Sequence, residues 1–335
     1  MNHRNLRSLC RVVSVGLMLF ACVNADRASA YCRMTTDDKA QVGNTTCAET
    51  GEPLIWNNPC LSYAIDGRGS VWMDNADIEN AVNAGFETWE KAECPDGGTP
   101  NLVFKPSMEP STCKRAEFNT TDNVNTIAFL DPWKDPCADE LDRPPYEPLA
   151  FAVTIVWSNT STGEILDADM MINDQEATRV NAGGPYADCP DTGCDGEADL
   201  RSIITHEAGH FIGIGHCDPI EPGCLEATMY YRADRSSLEK RDLAPDDIDA
   251  VCDIYPPGNL DETCTAIPIG GLQLNCETTE SGNRIACDAP GAFSSSSGCS
   301  CSTTQTPADA LWATFAVLIG LTVTRRRSAG RGAGS

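Results

Sequence analysis

Residues 206–216 read His206-Glu207-Ala208-Gly209-His210-Phe211-Ile212-Gly213-Ile214-Gly215-His216 and hold three of the chain's four histidines. The fourth, His3, lies in a segment that reads below as a removable leader. On a helix, His206 and His210 stand four residues apart, about 40° apart on one face and one turn above the other. Their ring nitrogens can therefore meet at one ion, at roughly 2.0–2.1 Å from each. A helix that simply continued would carry residue 216 away. Gly213 takes positive φ cheaply, so the spacing predicts that the helix ends there and that the chain turns back, letting His216 complete the set.

Three neutral imidazoles leave one coordination position of a zinc ion open, and Glu207 lies beside the ligands. This pattern predicts one catalytic Zn2+ held by His206, His210 and His216. Glu207 is expected to take a proton from the attacking water and to return it to the leaving amine. The competing class is a surface binding or adhesion module that keeps a non-catalytic zinc as a staple. Structural zinc sites are usually closed by four protein ligands, often thiolates, so the open set with its adjacent Glu points to an enzyme.

The 335 residues suffice for one sizeable core, and the formal net charge of −25 makes nucleic acid and anionic membrane surfaces poor partners. Arg4, Arg7 and Arg11 precede an apolar run from Val12 to Val23, and Ala28-Ser29-Ala30 offers a small-x-small cleavage site. Residues 1–30 thus read as a signal peptide. A lipobox-like reading of Leu19-Phe20-Ala21-Cys22 is the alternative, and Phe20 fits it badly. Of eighteen cysteines, setting aside Cys10, Cys22, Cys299 and Cys301 leaves fourteen. In an exported chain that even number predicts up to seven disulfides, with connectivity open.

Between the ends, Leu61–Ile65, Leu102–Phe104, Thr126–Leu130, Leu149–Trp157 and Glu164–Asn173 read as strands bounded by turn formers. Asp77–Ala92 carries Ile78, Val82, Phe86 and Trp89 near helical spacing. The motif helix opens after Asp199, a good N-cap, and a last helix begins at Pro245 and runs to about Tyr255. Residues 258–298 read as a Cys-containing linker. Residues 299–335 read as a C-terminal tail: they open at Cys299, directly after Gly298, and hold an apolar run from Ala310 to Thr324 and Arg325–Arg327. As a helix that run would reach about 22 Å, short of the hydrocarbon core.

The motif resembles the metzincin signature, and Ala227-Thr228-Met229-Tyr230-Tyr231 is similar to the family's Met-turn, which implies that Met229 floors the site. Asp199-Leu200 before the motif helix, and Leu243, Asp246, Asp247, Ile248, Ile254 and Tyr255 after it, make the chain look most like the matrixins. The resemblance covers about Leu54 to Pro257, within a catalytic domain taken as residues 31–257. It implies an α+β fold: a twisted five-stranded mixed sheet with two long helices plus a C-terminal helix, here stapled by disulfides. A protein or peptide substrate is expected to lie extended along an edge strand, Leu149–Trp157, pairing its backbone with the sheet, and the chain is expected to act as a monomer.

Several positions depart from the matrixin pattern. Cys217 replaces the usual Ser, and either bridges to Cys224 or stands as a free thiol close to zinc. Tyr231 stands where Pro is common, and is either a donor to the transition-state oxyanion or a packed aromatic. Arg232 and Arg235 either favour an acidic substrate side chain or are surface charges. The mature chain has no histidines for a second, structural zinc and no Pro-Arg-Cys-Gly switch sequence. Asp167, Asp169, Asp188, Asp191, Asp195 and Glu197 are candidates for calcium, or merely solvated. The C-terminus resembles the myxobacterial sorting tail (MYXO-CTERM), which implies a membrane link only through the tail and delivery to the cell surface, outer membrane or exterior. An ordinary short tail anchor is the alternative.

Overall fold

A computed structural model describes residues 31–37, 47–112, 116, 124–135, 146–179 and 181–258, with the backbone of 320–323. The leader, the linker beyond residue 258 and most of the tail lie outside the described residues. Eleven strands are seen: β1 (Cys32–Arg33), β2 (Cys60–Ile65), β3 (Val103–Pro106), β4 (Thr126–Leu130), β5 (Ala150–Ser158), β6 (Ile165–Asn173), β7 (Tyr186–Ala187), β8 (Ala198–Asp199), β9 (Ile214–Gly215), β10 (Arg232–Ala233) and β11 (Gly320–Val323). Among the described residues three α-helices accompany them: α1 (Asn75–Glu90), α2 (Leu200–Phe211) and α3 (Pro245–Ile254).

The sheet runs β3-β2-β4-β6-β5, with β5 antiparallel to β6 and the remaining pairs parallel. This is the mixed five-stranded sheet the resemblance implies. One feature differs: β11 and then β10 extend it beyond β5. β11 pairs antiparallel with β5, placing Gly320 opposite Val153 and Thr322 opposite Ala150, and parallel with β10. Within the apolar run expected to be helical, Leu321-Thr322-Val323 is therefore strand, a conformation suited to β-branched residues with ladder partners on both sides.

Both faces of β5 are buried, which explains its nearly unbroken apolar run. Ala152 and Val156 face the helices, alongside Ile78, Phe86, Trp89, Ile204 and Phe211. The alternate residues Val153, Ile155 and Trp157 join Leu130, Trp133, Tyr146 and Met171 on the other face. Helices α1 and α2 pack on each other over the first face, and Phe86 meets Phe211 edge-on with centroids 5.2 Å apart. Disulfides join Cys32–Cys47, Cys94–Cys252, Cys189–Cys194 and Cys217–Cys224. Cys60 is also disulfide-bonded. The Cys94–Cys252 bridge ties the chain just past α1 to α3 across 158 residues.

Candidate metal centre

Helix α2 starts as its sequence predicts. The Asp199 side chain accepts from Ser202 N at 3.0 Å, capping the first turn. Burial pushes the Asp199 carboxyl up, but hydrogen bonds from Arg241, Ser202 and Cys189 N outweigh this and hold it below the usual range. The Arg241 guanidinium grips it twice, at 2.8 and 2.6 Å, and also reaches Asp188 Oδ1 at 2.9 Å and Cys189 O at 2.6 Å.

The helix ends at Phe211, and Gly213 follows with φ +89°. A Cβ there would stand 2.7 Å from Leu54 O, so both the conformation and the close approach favour glycine. The chain then turns back through β9, which pairs with β1, and delivers His216.

His206, His210 and His216 converge. Their Nε2 atoms stand 3.2 Å apart for 206–216 and 3.3 Å for 210–216. Nitrogens set about 2.05 Å from a tetrahedral centre lie about 3.3 Å apart, so this spacing fits a zinc ion. The opposite ring nitrogens are engaged: His206 Nδ1 donates to Thr228 O at 2.6 Å, and His210 Nδ1 donates to Ile214 O at 2.7 Å. Because a carbonyl can only accept, those two rings carry their proton on Nδ1 and keep the Nε2 lone pair for a metal. Burial, together with the neighbouring positive charges, holds all three imidazoles well below their ordinary pKa, His210 at about 3. They are neutral and ligand-ready at neutral pH.

Glu207 follows His206 on α2 and is wholly buried, with its side chain bonded to Thr154 of β5. Thr154 Oγ1 donates to its Oε2 at 2.7 Å, while Oε1 is buried with no hydrogen-bond partner. Burial pushes this carboxyl up to about 8, against the Thr154 hydrogen bond and the charge of Lys240. An orphaned carboxylate oxygen beside three converging imidazoles fits a site that holds a metal and a water.

Beneath α2, Met229 is fully buried, and a Cβ on Gly209 would lie 2.2 Å from its Sδ. The floor expected from the sequence is therefore in contact with the helix between the two histidines. Gly209→Ala should gain about 1 kcal/mol of helix propensity and lose more to overpacking, for a net destabilisation of roughly 1 kcal/mol. Denaturant unfolding checks this, and a variant about 1 kcal/mol more stable than the parent would mean that the turn yields without cost.

The other expectations divide. Tyr231 lies beside His216, with ring centroids 6.1 Å apart, and packs edge-on against Tyr230 at 4.9 Å. Cys217 is bridged to Cys224 and offers no free thiol. Arg232 lies over the Tyr231 ring at 4.9 Å. Arg235 is committed to carbonyls of Gly183, Pro185 and Gly196, so it ties loops together. The proposed calcium acids are not brought together: Asp169 accepts from Thr126 N, Asp188 pairs with Arg241, and the triad is the metal-compatible cluster among the described residues.

Sequence reading missed three participants. Thr154 was legible in principle, as the single polar side chain within the run Ala150–Trp157. Asp247 accepts from Thr228 N and Met229 N at 2.7 and 3.0 Å, and Lys240 donates to carbonyls of the same turn. Nothing local marked Lys240 as buried.

Residues 55–256 match the family model for matrixin. The chain belongs to the matrixin family. It is also 37% identical over 59 residues to the Metalloendoproteinase 1-MMP of Arabidopsis thaliana, a stretch covering 18% of this chain and 15% of that protein.

Proposed function

We propose that the protein is an exported zinc endopeptidase. The observation that carries this reading is the convergence of three imidazole Nε2 atoms beside a buried carboxyl that has one oxygen held and the other unpartnered. His206, His210 and His216 hold the metal, and no fourth protein ligand joins them among the described residues. A zinc ion there supplies Lewis acidity, polarising the scissile carbonyl and acidifying water. Glu207 Oε1 takes the proton of the attacking water and passes it to the departing amine nitrogen. Thr154 keeps the carboxyl oriented through both transfers. No covalent intermediate is needed.

Substrate lies extended along β5. The expected edge strand is not an edge in the structure, because Gly320–Val323 is paired antiparallel along it with β10 beyond; substrate takes the place of that segment, between β5 and β10. Tyr231, next to His216, donates its hydroxyl to the developing oxyanion, and Tyr230, Tyr231 and the following loop shape the side-chain pocket.

The leader is cut after Ala30, and the tail delivers the chain to the surface. Four disulfides with both cysteines described, together with the bonded Cys60, suit an oxidising compartment. Cleavage there would turn Tyr31 N, 3.0 Å from Asp246 Oδ1, into an ammonium facing a carboxylate.

The test is hydrolysis of a quenched fluorescent peptide library by the full chain, with metal analysis. Turnover should fall to background after treatment with a zinc chelator and return on adding one equivalent of Zn2+. Turnover indifferent to chelation would overturn the reading, and two zinc ions per chain would contradict the single centre.

A further inference from the structure

Lys240 is buried, 6% exposed, on the connection between β10 and α3. Its Nζ donates to Thr228 O at 2.6 Å and to Tyr230 O, with Ala227 O at 3.5 Å. An ammonium has three N–H donors and no acceptor, and here all three face carbonyls of one short turn. The amide side of that turn belongs to Asp247, which accepts from Thr228 N and Met229 N and also from Ala244 N at 2.9 Å. The turn is thus clamped between a cation on its carbonyls and an anion on its amides.

Thr228 is the residue where this clamp meets the metal centre. Its carbonyl oxygen takes two donors, Lys240 Nζ and His206 Nδ1, both at 2.6 Å. Its hydroxyl donates to Asp242 O at 3.0 Å, so every polar atom of the residue is engaged. Where that carbonyl points decides where the His206 ring points, and hence where its Nε2 sits relative to the other two.

We propose that Lys240 is a positioning residue for the metal centre: by fixing the Thr228 carbonyl, it aims His206 Nε2 at the ion and seats Met229 under the site. The proposal rests on the zinc endopeptidase reading for its purpose, but its geometry does not. Without the ammonium, three buried carbonyls lose a charged donor and His206 keeps only a mobile acceptor.

The experiment compares the full chain with Lys240→Met, which keeps length and burial but removes the donors, and with Lys240→Gln, which restores two of them. The dissociation constant for Zn2+, measured by competition with a chelating dye, should rise 10- to 100-fold in Lys240→Met, with partial recovery in Lys240→Gln. The visible spectrum of the Co2+-substituted chain should shift, because its bands report ligand geometry. Peptide hydrolysis should lose kcat while KM stays within about twofold. A Lys240→Met chain that melts earlier yet binds Zn2+ within twofold of the parent and keeps its Co2+ spectrum would overturn the proposal. If Lys240→Met does not fold, the same two metal readouts on Lys240→Gln decide it. If the parent binds one zinc but cleaves no peptide, the endopeptidase reading fails while the metal readouts still judge Lys240.

Discussion

Glu207→Ala should retain one zinc ion and the native fold while losing about 10²- to 10⁴-fold in kcat/KM for peptide hydrolysis. The three imidazoles do not depend on Glu207 for their orientation. His206 is held by Thr228 O and His210 by Ile214 O, so metal content should be unchanged. Thr154 loses the carboxylate at 2.7 Å but keeps an acceptor in the main-chain carbonyl of residue 207 at 3.2 Å, which limits the structural cost. Glu207→Gln is the sharper comparison, since it fills the same buried volume and cannot take a proton. The sign of the pH dependence follows from the role. Hydrolysis needs the ionised carboxylate, so kcat/KM falls as pH drops and Glu207 protonates. That acid limb should vanish from the residual activity of either variant. Equal turnover by parent and variant would remove Glu207 from the chemistry.

Arg241→Met should be the most destabilising of the substitutions considered, at about 3 kcal/mol. The Asp199 side chain is fully inaccessible and receives two of its hydrogen bonds from Arg241. Deleting the guanidinium leaves a buried carboxylate at the N-terminus of the helix that carries His206, Glu207 and His210, with Ser202 and Cys189 N as its remaining partners. Asp188 and Asp191 also lose a cation, but they are partly or fully exposed and add little. The parent's folded-state Asp199 carboxyl lies below its ordinary value. Its contribution is therefore complete above the unfolded pKa near 3.9 and is lost as pH falls through the folded value. In the variant the same carboxyl rises, so acidification favours its folded form. The stability gap, read by denaturant unfolding across pH 3 to 7, should accordingly narrow toward the acid end. A gap that is absent or constant with pH would mean that Asp199 does not need Arg241.

Much of this was legible in the chain because the signals were local. Strand periods in 126–130 and 165–173, the Asp199 cap and the helix starting at Pro245 each depend on neighbours a few residues away, and they stand where the pattern puts them. The His spacing, with Gly213 after it, encodes a helix, a stop and a return within eleven residues. For Arg235 the sequence leaves substrate contact and surface charge open, and its tie to three loop carbonyls is not legible there because those partners lie some 40 to 50 residues away. The calcium acids were a composition signal, and composition does not say which carboxylates share a cavity.

By itself, the sequence determined which atoms could hold a metal and which carboxyl could move a proton, since spacing on a helix is set by its 3.6-residue turn. Tertiary structure alone decided how those atoms are aimed. Thr154 reaches Glu207 only because β5 packs against α2, and Lys240 and Asp247 meet the turn at Met229 only once α3 and the loop before it fold back. Burial made the difference: it raises the Glu207 carboxyl, keeps the imidazoles neutral and turns a surface-type lysine into a three-way clamp on buried carbonyls.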